Sequence, residues 1–455
     1  MSRLAIHLND AEITLSNGER VTYREPGFAW LGDDSLRTGD EAFAHARIDP
    51  RRTQHRYWSE LTMTPLTDRR FSHLSAADLA SRQLEQIWGP HGKGVDELIV
   101  AVPAYMSAEN LGLFLGIARE LKLPVVAMVD SAVACTRREY KGAVPVHVDL
   151  GLHHAILTRM AQPGMAQTDR TEVLPGTGVF ALYDTWLSSI AEMFVRQSRF
   201  DPLHTAETEQ MLLNRLGGWL RDAARQDSVV MQLEAGRSNY TAEVESLALI
   251  GAAASIYQQI TSMLRSLFRA EDLPAIQVTD RVARMPGLMD MLKARVGGEV
   301  FVLEPGATTR GAFARCRGNA GAASGVSLLR QLPWDQAAID LGAHVAGTAH
   351  SGVPTHLLYG HTAYAIGTSP LVIGTQNGDD ERFVALASDM PGVSRRHCSL
   401  VRRNGQCVLE DHSRYGTFLN GHRIDGSSVL QVGDALRIGS PGFEFDLITT
   451  DGGNG

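Results

Sequence analysis

Residues 394–421 read SRRHCSLVRRNGQCVLEDHSRYGTFLNG and decide the fold class of the C-terminal part of the chain. Short apolar runs alternate in this stretch with turn-forming pairs such as Asn404-Gly405 and Asn420-Gly421. Helical periodicity is absent beyond Thr355, where the same alternation of short strands and turns continues. The pattern predicts an all-β sandwich over residues 355–449.

Two motifs in this region, Ser394-Arg395-Arg396-His397 and the run from Asp411 to Gly421, closely resemble the forkhead-associated (FHA) domain, and the later Val432-Gly433-Asp434 agrees. The resemblance implies a β-sandwich that binds phosphothreonine peptides through loops at one end. It also implies that Ser394 binds the phosphate, assisted by Arg395. The residues to which it gives a structural role are Gly374, His397, Gly416 and Asn420.

The expected phosphate site departs from the family pattern at two positions. Thr375 stands where the family usually has an arginine on the phosphate, and Tyr415 replaces an asparagine that contacts the peptide backbone. Neighbouring arginines can compensate with a fork of donors. The predicted peptide-binding residues are therefore Ser394, Arg395, Arg414, Thr375 and Tyr415. Two interpretations stay open: phosphothreonine binding, and a sandwich retained for packing or for contacts that do not involve phosphate.

Strand and helix patterns alternate along the first 330 residues. A buried strand at 98–102 precedes an amphipathic helix at 108–121 with Ser107 as its N-cap, and another strand follows at 125–129. Further along, the sequence predicts helices over 178–227 and one long helix over 242–269. This alternation is typical of a largely parallel or mixed α/β sheet.

Three segments, 99–105, 125–134 and 146–151, resemble the actin-like ATPase domain of DnaK-type chaperones, and Thr38 to Ala42 and Pro305 to Ala312 agree in order. The resemblance implies a two-lobed, ribonuclease H-like α/β domain at residues 1–330. The Gly-, Ala- and Ser-rich run at 318–325 marks its end. The predicted organisation continues with a linker at 331–354, the FHA sandwich at 355–449 and a disordered tail at 450–455.

The residues that ATP hydrolysis needs in that family are replaced in this chain. The run from His7 to Ala11 stands where a Gly- and Thr-rich phosphate hairpin is expected, and no lysine precedes Lys93. The second hairpin keeps Asp149 and Gly151, but bulky residues follow, and Thr279-Asp280-Arg281-Val282 replaces the Gly-Gly turn under the adenosine. Phosphate cradles use glycine because backbone amides must approach the oxygens closely. The sequence therefore predicts a pseudo-ATPase without a cofactor. Asp149 and Gly151 are the candidate residues for contact with a nucleotide. In a chain that binds none, Asp149 is expected to be a cap or turn residue at the end of its strand.

Composition and charge limit the possible functions. The chain has 455 residues and a formal net charge of -8, and only four of its 43 basic residues are lysines, so a dedicated nucleic-acid binder is not expected. The four cysteines lack disulfide or metal spacing, and neighbours such as His153 and His154 point to opposite faces of a strand, so no metal site is predicted. No apolar run approaches the ~18 residues of a membrane span. The default location is the cytoplasm.

These features together predict a non-catalytic regulatory adaptor. A pseudo-ATPase scaffold of actin-like fold would bind protein partners, and the FHA domain would dock a phosphothreonine-containing protein downstream of a Ser/Thr kinase. Two alternatives stay open. One is an active, divergent ATPase that couples the binding of ATP and Mg²⁺ to phosphoprotein binding, and the other is a polymerising or purely structural actin-like protein.

Overall fold

The structure, a computed structural model, describes residues 2–33, 35–224, 226–316, 326–335, 353–359, 362–376, 382–386, 392–414, 416–419, 422–424, 426–431, 434–438 and 443–448. The chain divides into two compact units, an N-terminal unit (Met1–Ala337) and a C-terminal unit (Ala338–Gly455). The predicted linker composition at 318–325 and the predicted tail at 450–455 fall outside the described residues.

The N-terminal unit mixes strands and helices, as predicted. Its described strands are β1 (Arg3–His7), β2 (Ile13–Ser16), β3 (Val21–Glu25), β4 (Ala29–Leu31), β5 (Leu36–Thr38), β6 (Thr53–Gln54), β7 (Glu97–Val102), β8 (Val125–Asp130), β9 (Val144–Leu150), β10 (His154–Ala161), β11 (Met165–Pro175), β12 (Ser228–Ala235), β13 (Ser238–Glu245), β14 (Pro274–Val278), β15 (Glu299–Val302), β16 (Leu328–Leu329) and β17 (Gln331–Pro333). Its described helices are α1 (Gly39–Phe43), α2 (Ala76–His91), α3 (Ala108–Glu120), α4 (Ser131–Cys135), α5 (Val179–Ser198), α6 (Ala206–Ala223), α7 (Ser246–Ser266), α8 (Asp280–Ala283), α9 (Leu288–Val296) and α10 (Ala307–Arg315), with one 3₁₀ turn at Arg69–Phe71.

Two six-stranded sheets share a pattern of five strands, and the sixth strand lies beside β8 in the first sheet (β16) and beside β11 in the second (β17). The first has the order β16-β8-β7-β1-β2-β3 and the second has the order β15-β14-β9-β10-β11-β17. Each contains an antiparallel meander, β1–β2–β3 or β9–β10–β11. The first strand of each meander pairs in parallel with a later strand, β7 or β14, which in turn pairs in parallel with β8 or β15. The unit is thus a mixed α/β structure with a repeated topology.

The parallel strands are buried on both faces, which explains their continuous apolar sequences. In β7, Leu98, Val100 and Val102 pack into one hydrophobic cluster with α2 and α3, while Ile99 and Ala101 pack into another with α4 and α10. Ser107 caps α3, as predicted, because its hydroxyl accepts a hydrogen bond from the backbone N–H of Asn110.

One sequence-based element was wrong. Residues 242–245 belong to β13 rather than to the long helix predicted from residue 242, and α7 begins only at Ser246. Ala242 and Val244 are buried, whereas Glu243 and Glu245 are exposed. This alternation has the period of two that a strand requires. β12 and β13 therefore form a separate two-stranded hairpin.

Helix α7 is long and apolar enough, by length and composition, to cross a membrane, contrary to the prediction that no apolar run approaches that length. Its residues Leu249, Ala253, Tyr257, Ile260 and Leu264 are fully buried in the main cluster of the N-terminal unit. Their spacing of three to four residues marks one helix face. The helix therefore packs as a core helix.

The predicted domain end at residue 330 falls inside regular structure. Leu328–Leu329 (β16) pairs with β8 in the first sheet, and Gln331–Pro333 (β17) pairs with β11 in the second, with only Arg330 between them. The first residues of the predicted linker at 331–354 are therefore a strand of the N-terminal unit. Just after this strand, Asp335 forms an ion pair with Arg137, with 2.5 Å between Oδ2 and Nη2.

The C-terminal unit is a β-sandwich. Its described strands are β18 (His356–Tyr359), β19 (Thr362–Ala365), β20 (Leu371–Gly374), β21 (Phe383–Ala385), β22 (Cys398–Arg403), β23 (Gln406–Asp411), β24 (Thr417–Leu419), β25 (His422–Arg423), β26 (Ser427–Leu430), β27 (Ala435–Ile438) and β28 (Phe443–Ile448). One sheet has the order β19-β18-β28-β27-β24-β25 and the other β21-β20-β22-β23-β26. Leu357 and Phe445 from the first sheet share one cluster with Ile373 and Leu409 from the second. The loops that precede β22 and β24 carry the predicted phosphate-binding residues Ser394, Arg395 and Arg414, and Thr375 follows β20.

Candidate functional site

His397 fixes the loop that precedes β22. The side chain is fully buried. Its Nδ1 accepts a hydrogen bond from Ser394 N–H (3.1 Å), and its Nε2 donates to the carbonyl oxygen of Gly416 in the loop before β24 (3.3 Å). Burial lowers the pKa of His397 below its ordinary value. The imidazole therefore stays neutral and joins the two loops.

The Ser394 hydroxyl is oriented by the same two loops. Its Oγ accepts a hydrogen bond from the backbone N–H of Arg414 (3.2 Å). With its lone pair engaged, the hydroxyl can direct its own hydrogen outward to an anionic oxygen. Arg395 and Arg414 are exposed beside it. The loop junction thus presents one hydroxyl donor next to two exposed arginines, and hydroxyl and guanidinium donors are the kind that a phosphate group takes.

Gly374 lets the first loop pass close to the end of β20. A Cβ atom at this position would lie 2.0 Å from the carbonyl oxygen of Arg395. Beyond it, Thr375 N–H donates to the Ser394 carbonyl (3.3 Å) and Gln376 N–H to the Arg395 carbonyl (3.1 Å). Thr375 therefore lies beside Ser394 through its backbone, as the predicted site requires.

The second loop is held from within. Asp411 Oδ1 accepts hydrogen bonds from Ser413 N–H (3.0 Å) and from the Thr417 hydroxyl (2.8 Å), and Gly416 N–H donates to Ser413 Oγ (2.7 Å). Burial works to raise the pKa of Asp411, but the bonds from Ser413 and Thr417 hold it below its ordinary value. Gly416 has φ +94°, a conformation that favours glycine. Two further predicted site residues, Tyr415 and Asn420, lie outside the described residues.

The site thus consists of two loops at one end of a β-sandwich, joined by a buried histidine and carrying Ser394 at their junction. Residues 371–439 match the family model of the FHA domain. The FHA domain is a phosphothreonine-binding module for protein interactions, which confirms the resemblance for this part of the chain. The match does not extend into the N-terminal unit. No curated protein matches the chain.

A second polar cluster lies in the N-terminal unit at the end of β9. Asp149 Oδ1 accepts hydrogen bonds from Thr279 Oγ1 (2.8 Å) and Arg281 Nη1 (3.0 Å), and its Oδ2 accepts one from Asn9 Nδ2 (2.8 Å). Arg281 also donates to the carbonyl oxygen of Leu150 (2.8 Å). Asn9, Asp149 and Arg281 are at most 8% exposed. The carboxylate that the sequence predicted as a cap or turn residue is instead the centre of a buried ion pair.

This cluster joins the two hairpins that the actin-like resemblance assigns to phosphate binding. Asp10 Oδ1 accepts a hydrogen bond from Leu152 N–H (2.7 Å), and the Asp10 N–H donates to Tyr105 Oη (3.2 Å). Gly151 lies so near that a Cβ atom there would come within 2.8 Å of Asp10 Oδ1. The side chains of the first hairpin therefore occupy the space directly beside the second.

Burial sets the protonation states in this region. Burial works to raise the pKa of Asp149, but Arg281, His7, His147 and Thr279 together hold it below its ordinary value. Burial lowers the pKa of His7 to about 4, and this residue shares a hydrogen bond with Ser131 Oγ (3.0 Å). Near neutral pH the cluster is therefore a carboxylate and a guanidinium surrounded by neutral imidazoles. A small cavity beside Asp149, with a volume of about 10 Å³, has room for a water molecule.

His153 lies in the bend before β10 rather than on the strand, which begins at His154, so the expectation that the two are strand neighbours was wrong; their rings meet edge to face and each also has contacts of its own. His153 Nε2 lies 2.9 Å from the His55 carbonyl oxygen and 3.0 Å from His55 Nδ1, while His154 stacks on Tyr105. Since the carbonyl can only accept, His153 Nε2 carries a hydrogen. Among the described residues, no group of three or more His, Cys, Asp or Glu side chains could hold a metal ion.

The sequence did not predict the buried ion pair that Arg281 forms with Asp149. The four-residue run from Thr279 to Val282 was noted only for the glycines it lacks. Its arginine lies 132 positions from the carboxylate it neutralises, so no local spacing could reveal the pair. The position of Arg281 soon after the apolar strand β14 is the one feature of the sequence that indicates a buried and therefore paired arginine.

Proposed function

We propose that the protein is a non-catalytic regulatory adaptor that docks onto phosphothreonine-containing proteins through its FHA domain. The observation that supports this most is Ser394, whose Oγ accepts the Arg414 N–H and is left to donate toward a ligand, with exposed Arg395 beside it. Hydrogen bonds to charged groups contribute about 1.5 to 3 kcal/mol each. In this proposal Arg395 and Arg414 take over the role of the arginine that Thr375 replaces.

A phosphothreonine peptide library, applied to the full chain, tests the docking function. We expect phosphopeptides to bind and their unphosphorylated forms to fail. Ser394→Ala and Arg414→Ala should each weaken binding by about tenfold or more. Arg403→Ala is the matched control, because Arg403 is an exposed arginine at the opposite end of β22 and pairs with Glu410 (2.6 Å). If Ser394→Ala binds like the unchanged chain, the phosphate site is not at this loop.

The N-terminal unit is the scaffold in this proposal, an actin-like, two-lobed domain that does not turn over ATP. The repeated meander with two added parallel strands in each six-stranded sheet supports the actin-like assignment. The Asp149–Arg281 pair supports the loss of catalysis, because Arg281 already neutralises the carboxylate that the resemblance assigns to the nucleotide site. Side chains of the first hairpin contribute to the same region without the glycines of a phosphate cradle.

Calorimetric titration of the full chain with ATP and Mg²⁺ tests this second part separately. We expect neither binding heat nor Mg²⁺-dependent phosphate release. Turnover would favour the divergent ATPase instead, and assembly into filaments in sedimentation runs would favour a polymerising protein. Neither result bears on the phosphopeptide experiment, so the two parts of the proposal fail independently. A cytoplasmic location and a Ser/Thr kinase acting upstream of the partner belong to the same proposal.

A further inference from the structure

The hairpin β12–β13 presents an unprotected strand edge. Gln197 covers the outer edge of β13, because its side chain donates to the Glu243 carbonyl (2.7 Å) and accepts from the Glu243 N–H (2.8 Å). Glu243 is opposite Val230 in the ladder, so the backbone groups of Val230 also point away from β13. Because backbone groups alternate in direction along a strand, the N–H and C=O groups of Ser228, Gln232 and Glu234 on β12 also point away from β13. Within the described residues, no hydrogen bond from outside the hairpin reaches these four backbone positions.

This edge differs from the other sheet edges of the N-terminal unit. β16 has two residues, β17 has three and ends at Pro333, and β15 has four. β17 covers only Met165–Gln167 of β11, and the ladder between β11 and β10 has a register shift at Arg159/Met160. β3 has five residues and pairs with β2 through an irregular register. Short strands, proline and irregularity are the usual protections of an edge. β12 instead has eight residues in unbroken register, without proline or lysine.

The outward side chains of β12 are also partly apolar. Val230 is 61% exposed, and Gln232 and Glu234 are exposed beside it, while Val229, Met231 and Leu233 face the core. Exposed valine on a long, regular edge favours strand addition. The partner must therefore be an extended segment that offers complementary backbone groups and does not place an acid opposite Glu234.

We propose that β12 pairs antiparallel with β12 of a second copy of this chain, in a register centred on Met231. Val230 then lies opposite Gln232 of the other copy, and Ser228 lies opposite its Glu234, whose carboxylate can accept from the hydroxyl. Glu234 of one copy is therefore not opposite Glu234 of the other. The two Val230 side chains lie diagonally adjacent on one face of the sheet. All four outward positions are paired, which gives about eight interchain backbone hydrogen bonds. The result is one continuous four-stranded sheet across a two-fold axis.

Sedimentation velocity of the full chain over a concentration series tests the dimer. We expect a monomer–dimer equilibrium, and Val230→Lys should raise the dissociation constant about tenfold or more, because lysine on an edge opposes pairing. Gln232→Pro should have the same effect without loss of a bond to β13, since its N–H points outward. Leu247→Lys is the matched control, because Leu247 is 74% exposed but lies in α7 outside the edge, and it should leave the dimer unchanged. A chain that stays monomeric throughout, or a Val230→Lys variant that dimerises like the unchanged chain, overturns the proposal.

Cross-linking tests the register. The native cysteines are all buried and do not interfere. A mixture of Val230→Cys and Gln232→Cys proteins should form a disulfide-linked pair under mild oxidation, because directly opposite residues in such a ladder have Cα atoms about 5.5 Å apart. Neither variant alone should do so. Efficient self-linking of Gln232→Cys alone refutes the register centred on Met231.

Discussion

Replacing Arg281 by methionine tests the most consequential contact of the N-terminal unit. The change keeps an apolar stem of similar length and removes the guanidinium that pairs with Asp149. Asp149 keeps its hydrogen bonds from Asn9 and Thr279. It loses Arg281, which is its one ion-pair partner among the described residues. Because the carboxylate is 3% exposed, water cannot replace the lost charge.

The expected cost follows from this geometry. At an Nη1 to Oδ1 distance of 3.0 Å and an effective dielectric constant of about 20, the attraction is about 5 kcal/mol. Removing the guanidinium also removes its own desolvation penalty, so the net loss should be about 3 to 5 kcal/mol. Since burial drives the pKa of Asp149 above its ordinary value once the arginine is absent, the loss should begin to shrink as the pH falls through that raised pKa, where the carboxylate of the folded variant becomes neutral.

Differential scanning calorimetry of the full chain is the assay. We expect the transition of the N-terminal unit to fall by about 4 to 7 °C in Arg281→Met and that of the FHA domain to stay in place. Arg284→Met is the matched control, because Arg284 is a partly exposed arginine paired with Asp280 (2.9 Å), and its loss should cost at most about 1 kcal/mol. Adding Asp149→Asn to Arg281→Met should recover part of the loss. Equal transitions for Arg281→Met and Arg284→Met would refute the reasoning.

Three further predictions concern single side chains. Burial raises the pKa of Asp10 to about 6, and its Oδ2 has no hydrogen-bond partner in the described part of the chain, so Asp10→Asn should raise the free energy of unfolding at pH 8 by about 1 to 3 kcal/mol. The gain should vanish near pH 4, where the carboxyl is protonated in the folded state, and urea titrations at both pH values measure it. Gly374→Ala should lower only the transition of the FHA domain and weaken phosphopeptide binding, because the new Cβ would lie 2.0 Å from the Arg395 carbonyl oxygen; an unchanged transition contradicts the close approach. Gly112→Ala in α3 should instead stabilise the N-terminal unit by about 0.5 to 1 kcal/mol, since nothing lies within 4 Å of the added methyl group, and chemical denaturation would reveal any loss.

The all-β class of the C-terminal unit could be predicted because the residues that determine it are close to one another in the sequence. The turn pair Asn404-Gly405 marks the reversal between β22 and β23, and the motif around Ser394 and His397 lies within one short stretch. The N-cap Ser107 was equally visible, since capping depends on residues three apart. In each case the decisive residues are neighbours in sequence.

Residue pairs distant in sequence could not be predicted in the same way. The ion pair of Asp149 and Arg281 joins segments that only the folded sheet brings together. The strand at Ser238–Glu245 was not predicted because Ala and Glu, which fill positions 242, 243 and 245, suit a helix by propensity, while burial at every second position imposed the strand. Tertiary contacts, rather than local preference, decided both.

The chain after residue 326 has a mechanical consequence. Within six residues it joins β8 of one sheet through Leu328–Leu329 and β11 of the other through Gln331–Pro333, and Asp335 anchors it to Arg137. Such a segment acts as a strap, so a rotation of one sheet against the other would have to break strand pairs at its ends. We therefore expect the two sheets to resist rotation against each other at this segment. A truncated protein ending at residue 330 would lose half the strap and with it that stiffness.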